Sequence, residues 1–462
     1  MNAKVSQLLK DTLIFAIGSL GSKIVLFLLV PLYTNVMTAD EYGTADLVIT
    51  IGQLLVPFVA LVIHDAVLRF GLSKYENKED VLLVSFIVLA AGSLVAVAIT
   101  PLFAFYQAVA NYRWLLCGYV IAYMASNIEF TYLKVAGKNR LYAGLGIVQT
   151  LTMALFNIIL LSVFDMGVEG YLLANIVALG VIDVAVFLAG GFASCLHIAK
   201  FDKALLKRML AYSTPLVLNN ISWWVIHSAD KVMIEWALGA SALGLFTVAS
   251  KVPSLINTVV NVFQQAWGIS SIKEIESSND ASYYSGVFQI YSTLCMGACI
   301  ALVAVIKPFM FVYVGAEYFE SWHYIPLLLV AAALSGTASY FGAMYAALKK
   351  SVNNMLATLI SALINVVLCA ALVEFFGVWA AVLGTLAAYL TLFFVCMFGV
   401  LRFVKFDVRL KRYIACLIVA LIQAVLVSAD FHIYLVSLAA VLVFALVNRD
   451  LPLMISRMRK DA

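Results

Sequence analysis

From Val81 to Tyr112 the chain runs thirty-two residues without a charged side chain, and such runs recur from Leu141 to Phe164 and from Phe375 to Leu401. About 20 apolar residues suffice for a helix to cross roughly 30 Å of hydrocarbon, where each backbone polar group must be satisfied inside the segment. These runs exclude a soluble globular fold and make the chain an all-α polytopic membrane protein. Apolar runs read against charged and turn-rich breaks predict about fourteen transmembrane helices, at residues 12–36, 43–70, 81–105, 112–133, 140–164, 168–191, 211–237, 243–268, 286–313, 322–348, 353–374, 377–401, 413–429 and 431–448. The first is too long for a signal-peptide core and is read as a span.

The placement of charge predicts orientation. With the N-terminus in the cytoplasm, the inner segments gather Lys134, Lys138 and Arg140, then Lys200, Lys203, Lys207 and Arg208, then Arg402 to Arg412, and finally Arg449 to Lys460. The outer turns carry acids: Asp40, Glu41, Asp165, Glu169, Glu317, Glu320 and Glu374. Under the positive-inside rule both termini are cytoplasmic. The seven cysteines all fall in or beside apolar helices without a C-x-x-C pair, so no disulfide, metal or cofactor is expected.

A shift of 201 residues lays the first two spans over the seventh and eighth, with Gly43 on Gly244, Thr50 on Lys251, Gln53 on Ser254 and His64 on Gln265. Further on, "NIILL" (157–161) matches "NVVLC" (365–369), and Gly167-Val168 matches Gly377-Val378. Six helices per unit give both units one orientation, a parallel pseudo-two-fold repeat. The expected domains are an N-terminal six-helix lobe (1–200), a C-terminal six-helix lobe (201–405), and an extra helix pair with a basic tail (406–462). That pair reads as lipid-facing. Pro31, Pro57, Pro215 and Pro253 interrupt corresponding helices of the two lobes and are candidate hinges.

Polar residues form stripes on these four helices. At 100° per residue, Thr12, Ser19, Lys23 and Thr34 share a sector of the first, and Asp46, Thr50, Gln53 and His64 one of the second. Asn220, Trp224, His227, Lys231 and Glu235 line the seventh, and Thr247, Lys251, Ser254, Thr258, Asn261 and Gln265 the eighth. The economical arrangement points all four stripes at an aqueous cleft between the lobes. Lys23, Asp65, Glu129, Asp183, Asp230, Lys231 and Lys251 lie well inside spans. Facing lipid they would cost about 3 kcal/mol each, so they face protein or water. Lysine is a compact charge suited to phosphate, which makes Lys23, Lys231 and Lys251 candidate ligands for an anionic, hydroxyl-rich substrate. Asp65 and Arg69 stand at i, i+4 and are expected to pair. Asp230, Asp183 and Glu129 are candidate coupling or structural charges, Glu129 read as a hydrogen-bonded acid, while His64 and His227 could carry protons.

These residues add up to an outline. "LVPLYTNVMTADEYGTADLV" (29–48), Asp230-Lys231 followed by "LGASALGLFTVASKV" (238–252), and "YLKVAGKNRLY" (132–142) resemble the first hairpin, seventh helix and basic loop of the Wzx-type polysaccharide flippases, of the multidrug/oligosaccharidyl-lipid/polysaccharide superfamily. The resemblance implies translocation of undecaprenyl-diphosphate-linked oligosaccharide across the bacterial cytoplasmic membrane by alternating access, for O-antigen or capsule synthesis. It further implies a diphosphate among cleft lysines, sugars against Trp223, Trp224 and Trp267, and a proton or sodium ion as coupling partner. Polysaccharide polymerase and export proteins would be partners; nucleic acid would not. Clefts in the family carry arginine, whereas this one carries lysines. A cation-coupled multidrug or metabolite exporter is the alternative. A membrane-embedded polymerase or transferase fits less well, because no outer connection exceeds about ten residues and no catalytic cluster is spaced for chemistry.

Overall fold

The computed structural model describes residues 21–193, 199–276 and 280–450, and every regular element among them is helical. Ten of these helices are long and apolar enough to cross a membrane, and two shorter ones, Gly21–Val36 and Ile433–Val447, are apolar as well. Arg113–Val135 and Lys203–Leu238 are long but carry more polar residues. Thr12 and Ser19 of the first stripe lie outside the described residues. By internal packing the chain divides into two compact units, residues 1–228 and 229–462.

The first unit contains α1 (Gly21–Val36), α2 (Ala39–Val59), α3 (Ile63–Gly71) and α4 (Lys78–Ile99), followed by α5 (Arg113–Val135), α6 (Asn139–Asn157) and α7 (Gly167–Ala189). It also holds most of α8 (Lys203–Leu238), within which the division falls. The turn before α2 is fixed by its sequence. Thr38 Oγ1 accepts from Glu41 N (3.3 Å) while Glu41 Oε2 accepts from Thr38 N (2.9 Å), a capping box that satisfies two orphan donors. Glu41 also explains Gly167, since a Cβ there would stand 2.7 Å from Glu41 Oε1, and its φ of +50° disfavours any other residue.

The expected span 43–70 is not one helix. It breaks after Val59, and Leu61 and Val62 take φ of +49° and +53°. A β-branched residue there is a true outlier. Pro57, three residues before the break, cannot donate to the helical ladder. The basic loops do local work as well: Lys78 Nζ donates to Val135 O (2.9 Å) and Lys138 Nζ to Gly190 O (2.7 Å), covering carbonyls that the ends of α5 and α7 leave open.

The second unit contains α9 (Ala240–Glu276), α10 (Ala281–Tyr313), α11 (Ile325–Ala347), α12 (Ser351–Phe376), α13 (Val378–Leu401), α14 (Leu410–Ser428) and α15 (Ile433–Val447). Its centre is α11, buried along most of its length against α9, α10, α13 and α14. The last two helices are docked through polar groups. Gln423 Nε2 donates to Ile300 O (3.1 Å), and Thr337 Oγ1 lies 2.7 Å from the Tyr413 hydroxyl. The outer face of α15 exposes Tyr434, Leu435, Leu438 and Leu446, as a lipid-facing helix would.

Gly377 joins α12 to α13 at φ +57°, ψ −135°, a region open to glycine alone. Gly377→Ala should therefore lower stability by about 1–3 kcal/mol. Gly144, exposed in α6 with nothing near its missing Cβ, should tolerate alanine or gain up to about 1 kcal/mol. Thermal unfolding of the two variants in detergent checks the contrast.

Candidate functional site

In the first unit the expected stripes are partly consumed by packing. Asp46 and Thr50 on α2 are buried. The rings of Tyr33, Tyr42 and Tyr171 pack together beside them, with centroids 5.1 to 5.8 Å apart. Gln53 is exposed and hydrogen-bonds the Tyr119 hydroxyl. Trp224 Nε1 donates to Thr50 O (3.0 Å), which anchors α8 to α2. Asn220 Nδ2 returns to Leu216 O, and Trp223 stacks on the exposed ring of His227 at 5.7 Å. Lys23 on α1 is exposed and makes no ion pair with a described residue.

The helix break removes His64 from the α2 stripe and puts it on α3. There its Nε2 stands 3.7 Å from Asp65 Oδ1, and Asp65 takes this partner instead of the expected Arg69. Asp65 and Arg69 face a cavity of about 480 Å³, shared with Leu68, Leu72, Tyr212 and Leu216. An arginine thus stands at an open pocket of the first unit, where the sequence reads Arg69 only as the partner of Asp65.

In the second unit, Lys251, Ser254, Thr258 and Asn261 run along α9, with Ser254 and Asn261 exposed and Lys251 and Thr258 half-buried. The hydroxyls are turned back on the helix, Ser254 Oγ to Lys251 O (2.6 Å) and Thr258 Oγ1 to Ser254 O (2.9 Å). The side chain of Gln265 lies outside the described residues. Trp267, expected against sugar, is 2% exposed. It stacks on Tyr340 at 4.5 Å and donates Nε1–H to Tyr340 O (3.1 Å), so it is a core residue.

Asp230 is 5% exposed. Its Oδ1 accepts from Lys231 N (2.9 Å) and its Oδ2 from Thr385 Oγ1 (3.3 Å), and Asn365 Nδ2 donates to that same Thr385 oxygen (3.2 Å). Close helix packing builds the cluster: Gly384 on α13 lies against Asn365 O on α12, where a Cβ would stand at 3.1 Å. The amide oxygen of Asn365 is buried without a hydrogen-bond donor. A carboxylate, a hydroxyl and an unmatched amide oxygen together form a dry oxygen-rich pocket, a setting for a proton or a small cation.

This helical plan is shared with membrane transporters of known structure. The fold is similar to that of "Lipid II flippase MurJ, inward closed conformation", with a TM-score of 0.67 and 15% identity over 96% of this chain and 99% of that one. It is also similar to an inward-facing multidrug resistance MATE transporter of the MOP superfamily (TM-score 0.64, 16% identity, 82% of this chain and 98% of that one). A MOP superfamily transporter from Pyrococcus furiosus described as having a reversed-polarity binding pocket follows (TM-score 0.59, 16%, 85% and 95%). Among curated proteins none matches the chain in sequence. The model of the polysaccharide biosynthesis protein family matches residues 8–267, more than half of the chain, and the chain belongs to that family. The resemblance carried by the first hairpin, the seventh helix and the basic loop is borne out.

Proposed function

We propose that this protein is a flippase that moves undecaprenyl-diphosphate-linked oligosaccharide across the bacterial cytoplasmic membrane by alternating access. Fourteen spans with both termini inside, two six-helix lobes and a C-terminal pair are its layout, and the prolines of α1, α2, α8 and α9 are its hinges. The observation that carries the reading is the polar face of α9, where Lys251, Ser254, Thr258 and Asn261 follow one another on an otherwise apolar helix. Lys23 and Arg69, both exposed, supply further positive charge for a diphosphate. Gln53, Asn220, His227 and Trp224 offer amides, imidazole and an aromatic face to sugar hydroxyls, and Lys231 stands next to the Asp230 pocket, whose cation would couple transport. The protein works as a transporter in this reading, with polymerase and export proteins as downstream partners.

Lys23→Ala and Lys251→Ala should each reduce surface polysaccharide about tenfold or more, the scale of a lost hydrogen bond to a charged group. Lipid-linked repeat units should accumulate in the inner leaflet while the amount of membrane-inserted protein stays constant. Unchanged polysaccharide in both variants would reject the assignment. A cation-coupled exporter is the second reading, favoured by the MATE transporters among the similar structures; normal polysaccharide with lost drug resistance in a deletion strain would select it.

A further inference from the structure

Two carboxylates of the first unit take no part in the substrate assignment. Glu129 on α5 and Asp183 on α7 each lie sixteen residues beyond the first residue of their helix. The two helices pack together, and α6 runs back between them in sequence, so α5 and α7 run the same way. A rise of 1.5 Å per residue then sets both acids about 24 Å along, at one depth. Glu129 is 3% exposed, and its Oε2 has no hydrogen-bond partner; Asp183 Oδ1 is buried and unpartnered too. Ser126, 4% exposed and one turn before Glu129 on the same face, has its Oγ beside Asp183 without completing a hydrogen bond.

Among the described residues no cation pairs with these acids. The elements packed on α5 are α2, α3, α4, α6, α7 and the short, uncharged helix Thr100–Phe105, and of their charged groups Asp183 is the one that acts on Glu129. The surroundings are apolar, with Ile128, Tyr132, Ile182 and Val186 in one buried cluster. Two bare carboxylates here would forfeit solvation worth several kcal/mol each and repel one another. Nothing among the described residues supplies the positive charge that would balance them. We propose that Glu129, Asp183 and Ser126 form a monovalent-cation site in which a proton or a sodium ion bridges the two carboxylates. The site goes beyond the transport reading, because it would bind its cation whatever the substrate.

The full chain purified in detergent carries the test. In choline chloride, the thermal midpoint should fall by about 3 °C or more from mildly acidic to mildly alkaline buffer, as the bound proton is lost and the carboxylates repel. Sodium chloride at the alkaline end restores the midpoint if sodium occupies the site and leaves it low if the proton is the ligand. The double variant Glu129→Gln, Asp183→Asn keeps the shape and should flatten that slope, also in an Asp230→Asn background. A slope that survives the double replacement overturns the site. Should the double variant fail to fold, infrared spectra of the Asp230→Asn chain decide. A protonated-carboxyl band that disappears at alkaline pH, or a band shift with sodium, supports the site, and the absence of both overturns it.

Discussion

Asp230→Asn should abolish transport, with a loss of about a hundredfold or more, while the protein reaches the membrane in normal amount. Asparagine has the shape of aspartate: its Oδ1 can still accept from Lys231 N, and its Nδ2 can donate to Thr385 Oγ1 in place of the bond that Asp230 Oδ2 accepts, so both contacts that hold Asp230 in place can be kept. If Asp230 were a strut between α8 and α13, those bonds would survive and transport with them. If its charge holds a cation, the variant keeps the scaffold and loses the ligand. A contact to a charged group is worth about 1.5–3 kcal/mol, and the upper end of that range corresponds to the stated loss. Transport in vesicles under an imposed proton or sodium gradient, together with the amount of folded protein, separates the cases. Activity within about threefold of the parent would make Asp230 structural. Thr385→Val, which removes only the hydroxyl, should give a smaller loss in the same direction.

What the sequence made legible follows from which signals are local. Charge-free runs such as 81–112 mark helices directly, because nothing but an apolar segment can be that long in this chain. Pro57 marked a disturbance in α2. The break itself carries no glycine or asparagine: Leu61 and Val62 sit in the left-handed region because tertiary packing holds them there, and no local pattern announces it. His64 was therefore assigned to the wrong helix. Trp267 shows another limit, since a tryptophan on an apolar helix reads equally as core or as sugar platform until Tyr340 and Phe263 are found beside it. Asn365 was noticed only as part of the repeat, and Thr385 not at all. Thr385 reaches Asp230 across 155 residues of chain and Asn365 joins it through Thr385, a distance over which no spacing rule operates.

Gly399→Ala should destabilise the second unit by about 1–3 kcal/mol, and Tyr345→Phe should restore much of that loss. Gly399 lies on α13 facing the side chain of Tyr345 on α11, and a Cβ added to it would collide with the tyrosine hydroxyl. Tyr345 is buried, so the ring has little room to turn aside. Small residues let membrane helices approach closely, and here the approach matters because α13 carries Thr385 and α11 is the centre of its unit. Pushing α13 outward at Gly399 acts on the same helix whose Gly384 brings Thr385 to Asn365. The two changes touch the same atoms and should not add, so a double-mutant cycle of thermal unfolding isolates their coupling. Gly399→Ala that unfolds like the parent would mean that α11 and α13 slide apart freely, and a Tyr345→Phe that fails to rescue would place the strain elsewhere than at the hydroxyl. Rescue of stability together with the Asp230-dependent cation response would tie the packing of α13 to the pocket it carries.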